Sequence, residues 1–242
     1  TVGGGGHAQA LLSQASGREL LAVDRDISAV DVAANRLKDF GDRAQVRHAR
    51  FDEIGKILDD DGRSLNGAIF DLGVSSHQLD TPERGFSHRF TSPLDMRMDP
   101  TDSLNASTIV NSYEEAELTY ILRNNSDERF ARRIAKSIIA ARPINSTTEL
   151  AEIVRGAVPA ATRRTGRHPA MRTFQAIRIA VNSELELIEP ALKQIIERLS
   201  PGGRIVVLSY HSGEDRIVKQ VFREAADGVC ECPSTLPCIC GS

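Results

Sequence analysis

Residues 1–24, TVGGGGHAQALLSQASGRELLAVD, contain the pattern that decides the fold. Four consecutive glycines precede a helical apolar pattern, and a short apolar run then ends at Asp24. Glycine loses more conformational entropy on ordering than any other residue, so four together belong either to a flexible tether or to a loop that holds a ligand. The strand and the acidic residue behind them favour the loop, because glycines let the backbone approach a nucleoside and the carboxylate binds its ribose hydroxyls.

The spacing alone leaves two cofactors open. Eighteen residues separate Gly6 from Asp24, which suits a nicotinamide dinucleotide or S-adenosylmethionine. Gln9 stands where a G-x-G-x-x-G motif needs its last glycine, and the turn LSPGGR at 199–204 before a strand is common in adenosylmethionine-dependent methyltransferases. These two features favour the methyl donor, and no hydride-transfer site is apparent.

Alternating helix and strand patterns predict an α/β fold with a parallel sheet. Apolar runs that are typical of strands end at Asp24 and Asp71, and RIVVLS at 204–209 is a further buried strand. Residues 170–199 are predicted as one helix bent near Pro190. Between these parts lie a long loop at about 76–100, which is unusual unless functional, and helical patterns only. The sequence therefore predicts an α/β domain at 1–100 and 169–242, interrupted by a helical insertion at 101–168.

Composition excludes several classes of protein. The chain has 242 residues, of which 40% are hydrophobic and 26% charged, as in ordinary globular domains. No apolar run approaches the ~18 residues of a membrane span, and no secretion signal is visible. A net charge of −3 means that any nucleic-acid contact must come from a local basic face. These features predict a cytoplasmic protein without membrane contact.

The cysteines are confined to the last thirteen residues, where they form two C-x-C units separated by five residues. Zinc is conceivable, but the two- to four-residue gap between ligands that is usual for zinc is absent. Reduced thiols are equally compatible, and no other metal site is predicted. The four residues are Cys230, Cys232, Cys238 and Cys240.

Six blocks of sequence together identify a family resemblance. In order they are DLGVSSHQLD (71–80), ERGFS (83–87), PLDMRMD (93–99), FQAIRI (174–179), VNSEL (181–185) and SYHS (209–212) with EDR (214–216). This set closely resembles the bacterial small-subunit ribosomal RNA cytosine-N4 methyltransferases, and the resemblance covers nearly the whole chain. It implies a class I, Rossmann-like S-adenosylmethionine-dependent methyltransferase with an inserted helical domain. The implied reaction methylates the exocyclic N4 of one cytosine in the decoding region of the small subunit. An assembled 30S subunit is the expected substrate, and the free RNA stays open as the alternative.

The resemblance also implies cofactor contacts. Asp24 would bind the ribose, Phe51 with Asp52 would lie near the adenine, and Asp71 with Gln78 would line the methyl-donor pocket. The amino-acid end of the cofactor would lie at Gly5, Gly6 and His7.

Asp71 is the candidate catalytic residue. The N4 lone pair of cytosine is delocalised into the ring, so an acceptor for an N4 hydrogen would favour attack. Related DNA amino-methyltransferases place a Pro-Pro motif at this strand end, whereas this chain has Asp71-Leu72-Gly73. Either Asp71 or a backbone carbonyl within 72–75 is therefore expected to accept the hydrogen. The alternative role of Asp71 is to cap the following segment.

RNA contacts are expected from basic residues and from the loop at 76–100, which would wall the pocket of an extruded base. The first group of basic residues flanks the insertion and is expected to contact phosphates. A second group shares one face of a helix, and for it RNA contact and simple exposure to solvent are equally compatible with the sequence. His211 suits either a substrate contact or a local hydrogen bond. Asp95 and Arg97 suit either a structural ion pair or the wall of the target pocket. The first group is Arg163, Arg164, Arg167, His168 and Arg172, and the second is Arg129, Arg132, Arg133 and Lys136.

Two further expectations concern completeness and activity. The fold implied by the resemblance has a central strand before the glycines and two further strands at its end, none of which is present here, so we expect a gap in the sheet. The rival function is a methyltransferase-like module that binds RNA or ribosomes without turnover. A damaged cofactor loop would indicate that rival, but the glycines, Asp24 and Asp71 are all present.

Overall fold

The computed structural model describes residues 1–62, 64–160 and 168–227. Contacts divide them into two compact units. The first comprises residues 1–25, 29–73 and the segment from Leu185 onward, and the second comprises Asp26–Ser28 and Val74–Glu184. Among the described residues, no helix is both long enough and apolar enough to cross a membrane.

The first unit is an α/β structure with parallel strands, as predicted. Strand β1 (Leu20–Asp24) pairs with β2 (Ala44–His48), and β3 (Leu65–Asp71) pairs with β4 (Leu199–Leu208), both in parallel. The described strands thus form two separate pairs. The Val2 N–H donates to Val23 O (3.0 Å) and Thr1 Oγ1 accepts from the Asp71 N–H (2.6 Å). The first two residues therefore contact the carboxyl ends of both β1 and β3.

Helices of this unit cover its strands with apolar faces. They are α1 (Gly6–Ser13), α2 (Ile27–Leu37), α3 (Ile54–Asp61), and, after the second unit, α10 (Ile188–Arg198) and α11 (Ser212–Asp227). One core cluster joins Val23 and Phe70 of the strands to Leu58, Leu192 and Val221 of the helices. Burial of such side chains at helical and strand spacing is the main force that assembles the unit.

The second unit is helical. Its helices are α4 (Ser76–Asp80), α5 (Ala106–Ser112), α6 (Glu115–Ser126), α7 (Ala131–Ala140), α8 (Thr147–Ala157) and α9 (Ala170–Asn182). The apolar faces of α5 to α9 share one buried cluster, which includes Leu118, Ile134, Leu150 and Ile177. The unit extends beyond the 101–168 of the expected insertion, and its role as an inserted recognition domain stays a prediction.

The predicted continuous helix over 170–199 is wrong. Helix α9 ends at Asn182, because Ser183 adopts a left-handed conformation (φ 50°) that stops the helical pattern. Helix α10 then begins at Ile188 and holds Pro190 in its first turn. Proline is favoured there because first-turn N–H groups have no partner within the helix. Pro190 thus belongs to a helix start rather than to a bend.

The long loop is packed into the core of the second unit. Asn182 is 1% exposed, and its side chain accepts from the Met98 N–H (2.7 Å) and donates to Met96 O (2.8 Å). Met96 itself is fully buried. Gly85 has φ 70°, and a Cβ there would lie 2.3 Å from Pro93 O, so only glycine fits. Buried side chains and bonded backbone give this loop a fixed shape.

Candidate functional site

The glycine-rich turn is an ordered element that leads into α1. Gly3 (φ 49°) and Gly5 (φ 78°) both adopt conformations that other residues rarely take, and Gly5 caps the helix. A Cβ on Gly5 would lie 3.3 Å from Ala33 Cα in α2, whereas one on Gly3 would meet nothing within 4 Å. The turn therefore presents bare backbone and a helix N-terminus beside open space, which fits a nucleoside cofactor and favours a binding loop over a tether.

Asp24 shapes this turn. Its Oδ2 accepts hydrogen bonds from the N–H groups of Gly3 (2.9 Å) and Val2 (3.2 Å). The end of β1 is thereby joined to the start of the glycines, although 21 residues separate Gly3 from Asp24. Ribose binding by this carboxylate stays a prediction.

Asp71, at the end of β3, has partners from two distant parts of the same unit. Its Oδ1 accepts a hydrogen bond from the Tyr210 hydroxyl (2.8 Å), and its Oδ2 lies 3.5 Å from His7 Nε2 on α1. The Asp71 side chain is 35% exposed and that of His7 59%. A carboxylate that is accessible and oriented in this way suits both roles expected of Asp71, the donor pocket and the N4 hydrogen.

The turn after β4 holds His211 against the protein. Its ring nitrogen Nδ1 accepts from the Gly213 N–H (3.2 Å), and Nε2 lies 3.3 Å from Glu214 Oε1. The side chains of His211 and Glu214 are 14% and 1% exposed. This geometry favours the local hydrogen bond, while RNA contact by His211 stays a prediction. The exposed member of the turn is Tyr210, at 68%.

Phe51 and Asp52 follow β2 in a short 3₁₀ turn (Phe51–Glu53). The Phe51 ring meets Phe70 edge to face, with centroids 6.1 Å apart. Asp52 is paired with Arg50 (2.6 Å), and its carbonyl accepts from the Gln194 amide (2.9 Å). The half-buried ring is thus fixed at the end of β2, and its expected proximity to an adenine stays a prediction.

Gln78 belongs to a buried polar cluster of the second unit. Its Nε2 donates to Asp26 Oδ2 (2.7 Å), and Arg84 Nη2 contacts the same oxygen at 3.0 Å. Ser28 donates to Asp26 Oδ1 through both its N–H (3.0 Å) and its hydroxyl (2.6 Å). Burial by itself would raise the pKa of Asp26, but the hydrogen bonds from Ser28, Arg84 and Gln78 lower it below the usual carboxyl value. Gln78 is therefore fixed in orientation, and its cofactor contact stays a prediction.

The expected RNA-binding residues are only partly described. Arg163, Arg164 and Arg167 lie outside the described residues, as do the four cysteines. Arg172 is exposed and donates to Asp127 O (3.1 Å). On the second basic group, Arg132 is 74% exposed and lies 3.3 Å from Glu115. Asp95 and Arg97 form a bidentate ion pair (2.7 and 2.8 Å), which accords with the structural interpretation of that pair.

No group of three or more potential metal ligands occurs within the part of the chain that the structure describes. His168 instead stacks on His88, with ring centroids 4.4 Å apart. Burial, with the nearby positive charge of His168 and Arg89, lowers the pKa of His88. His168 thus has an aromatic contact within the second unit.

The sequence profile of the MraW methylase family matches residues 1–242. The chain belongs to this family. It is 49% identical to the "Ribosomal RNA small subunit methyltransferase H" of Heliobacterium modesticaldum and 51% identical to that of Pelobacter propionicus, in each case over all of this chain and 79% of the relative. The protein of the same name from Mycobacterium tuberculosis is 52% identical over 93% of this chain and 59% of its own length.

Three residues of this MraW-family chain have roles that sequence reasoning missed. Tyr210 lies inside the motif SYHS (209–212), in which only His211 was predicted as a substrate contact. The signal for Tyr210 was an aromatic residue directly after a strand. Asp26 precedes α2 and was identifiable as a helix-capping acid. Nothing local marked Arg84 as its partner, since 58 positions separate the two.

Proposed function

We propose that this chain transfers a methyl group from S-adenosylmethionine to the exocyclic N4 of one cytosine in the decoding region of small-subunit ribosomal RNA. Support comes from membership of the MraW methylase family and from relatives named as ribosomal RNA small subunit methyltransferases. The observation that carries the proposal is the accessible carboxylate of Asp71 at the end of β3. His7, on the helix that follows the glycine turn, lies beside this carboxylate.

The cofactor would supply a methyl group that its sulfonium already activates. The residues that would hold it are Gly5, Gly6, His7, Asp24, Phe51 and Asp71, all of the first unit. A cofactor contact by Gln78 stays a prediction. The bare backbone at the glycines and the carboxylates at the ends of β1 and β3 fit a nucleoside that carries an amino-acid tail.

The chain's own contribution is positioning and proton acceptance. Methyl transfer needs the amine in line with the methyl carbon and water kept away. Asp71 is oriented by Tyr210 and would accept one N4 hydrogen, which localises the lone pair of the amine for attack. The backbone carbonyls of 72–75 are the alternative acceptors. Residues of the second unit, including 101–168, are proposed to recognise the RNA.

The proposed function is tested by methyl transfer to small subunits that lack the modification. The protein is incubated with labelled S-adenosylmethionine and either these subunits or the free RNA, and the RNA is digested to nucleosides. Label in N4-methylcytidine at one site is expected, and the comparison shows which substrate is used. Tight binding to subunits with no label incorporated would instead establish the rival, a binding module without turnover.

The basic segment at 163–167 is expected to contact phosphates. Reversing the charge of Arg163, Arg164 and Arg167 to glutamate should weaken RNA binding and reduce the slope of log K against log salt by about 2 to 3, since each lost phosphate contact removes ~0.7 to 0.9. Filter binding over a series of salt concentrations measures both the RNA affinity and this slope. The same charge change at Arg18, Lys38 and Lys56, three exposed residues of the first unit, is the matched control. Equal slopes for wild type and the first variant would remove the segment from the interface.

A further inference from the structure

Tyr210 stands beside the carboxylate on which the proposed function depends. Strands β3 and β4 are parallel and their register pairs Asp71 with Leu208, so both end at the same edge of the pair. Tyr210 follows two residues after that end, and its hydroxyl donates to Asp71 Oδ1 at 2.8 Å. The ring therefore lies next to the proposed acceptor of the N4 hydrogen.

Three contacts hold Tyr210 in place. Its backbone N–H donates to Glu214 Oε2 (2.7 Å), and the Glu214 side chain is buried (1% exposed). A Cβ on Gly73 would lie 3.7 Å from Tyr210 Cδ2, so the ring lies against the backbone at Gly73. The hydroxyl bond to Asp71 fixes the far end. The backbone, one side of the ring and the hydroxyl are all anchored.

Despite these anchors, 68% of Tyr210 is exposed. An exposed ring gains little from the hydrophobic effect, which rewards removal of apolar area from water. A fixed aromatic ring does, however, provide a face on which a nucleobase stacks, and it loses little entropy when it does so. Enzymes that modify an extruded base hold it by stacking on aromatic side chains together with hydrogen bonds to its polar edge.

We propose that Tyr210 is the ring on which the target cytosine stacks, while its hydroxyl holds Asp71 oriented toward the N4 amino group. The inference rests on the proposed function and adds a base-positioning residue to it. Tyr210 would act on binding of the base through its ring, and on turnover through its bond to Asp71. These two effects separate in kinetics.

The kinetic test compares Tyr210→Ala with Tyr210→Phe on unmodified small subunits. The alanine variant should raise KM at least about fivefold, because stacking of one base is worth that much or more. The phenylalanine variant keeps the ring, so its KM should stay within about twofold while kcat falls several-fold. Val32→Ala is the control, since Val32 on α2 of the first unit is also exposed (48%), has no proposed role, and should change neither constant.

A spectroscopic test does not depend on turnover. The chain has no tryptophan and three tyrosines, so tyrosine emission is observable. Cytidine monophosphate should quench part of this emission in wild type, and the residual emission of Tyr210→Phe should not respond. The hydrogen bond to Asp71, followed by partial burial and the charges of Asp71 and Glu214, raises the pKa of Tyr210. An absorbance titration should show that pKa lowered in Asp71→Asn.

The outcomes distinguish the inference from the function beneath it. The role of Tyr210 would be overturned, and the proposed function kept, by the following result. The wild type methylates subunits, Tyr210→Ala leaves KM unchanged, and cytidine monophosphate does not change the tyrosine emission. Wild type that transfers no methyl group would overturn the proposed function. A KM that is raised in Tyr210→Ala but stays near the wild-type value in Tyr210→Phe supports stacking. An unchanged thermal midpoint in both variants then excludes a merely structural role.

Discussion

Replacement of Asp71 by alanine should reduce the rate of methyl transfer by at least about 100-fold, the range in which general bases contribute. The reason is that Asp71 is the carboxylate oriented by Tyr210 at the end of β3, with His7 beside its second oxygen. Removing it leaves the N4 hydrogens without their proposed acceptor. Single-turnover transfer to unmodified small subunits at saturating cofactor measures the effect.

Two comparisons make this result specific. Asp71→Asn keeps the shape of the side chain and an oxygen that can accept from Tyr210, but loses the negative charge, so it should be nearly as slow. Asp39→Asn is the control, since Asp39 is exposed on a turn after α2. Calorimetry then measures S-adenosylmethionine binding to each variant. Unchanged binding together with slow turnover indicates loss of the hydrogen acceptor, whereas weakened binding indicates loss of a cofactor contact. Near-normal turnover in Asp71→Ala would assign proton acceptance to the backbone carbonyls of 72–75.

Replacement of Asp26 by asparagine should have the largest effect on stability. Asp26 is 1% exposed and accepts from Ser28, Gln78 and Arg84. Arg84 is itself largely buried, at 18%. Neutralising Asp26 removes the carboxylate that contacts that guanidinium, and breaking a buried pair in this way costs about 3 to 5 kcal/mol of unfolding free energy. Urea unfolding followed by circular dichroism measures the loss.

The control for Asp26 is an exposed ion pair. Glu189 and Lys193 of α10 lie 2.6 Å apart with about half of each side chain exposed, so Glu189→Gln should change stability by less than about 1 kcal/mol. A loss in Asp26→Asn no larger than this would show that the buried pair contributes nothing beyond a surface pair.

The same cluster predicts a pH dependence. The pKa of Asp26 is lowered in the folded state, so its contribution is complete above the unfolded-state carboxyl pKa of ~3.9 and is lost as pH falls through the lower folded value. Wild type should therefore lose more stability than Asp26→Asn between pH ~5 and ~2. Parallel losses in the two proteins would mean that Asp26 does not titrate in this window.

Prediction from sequence worked best where the signal was local. The strands that end at Asp24 and Asp71 were predicted because apolar runs followed by an acid are contained in a few consecutive residues. The helix boundary at Ser183 was missed, since a left-handed serine has no distinctive local pattern. The hydrogen bonds of Asn182, the last helical residue, to the loop at 96–98 are likewise invisible in the local sequence.

The site shows the same division. The glycine turn and Asp71 are visible in the sequence as motifs, but the bond between Tyr210 and Asp71 joins positions 139 residues apart. The Asp26–Gln78 bond spans 52 positions. Neither pair follows from spacing, because chain positions so far apart meet only through the register of β3 with β4 or through the packing of the helical unit.

The sequence by itself determined the α/β class, the glycine turn and the family of this protein, since periodicity, glycine conformation and motif order are properties of neighbouring residues. The tertiary structure alone decided which side chains meet: Tyr210 on Asp71, Asp24 on the glycine backbone, and Arg84 on Asp26. The physical reason is that hydrogen bonds and ion pairs act over a few ångströms, and only the folded chain brings distant residues that close.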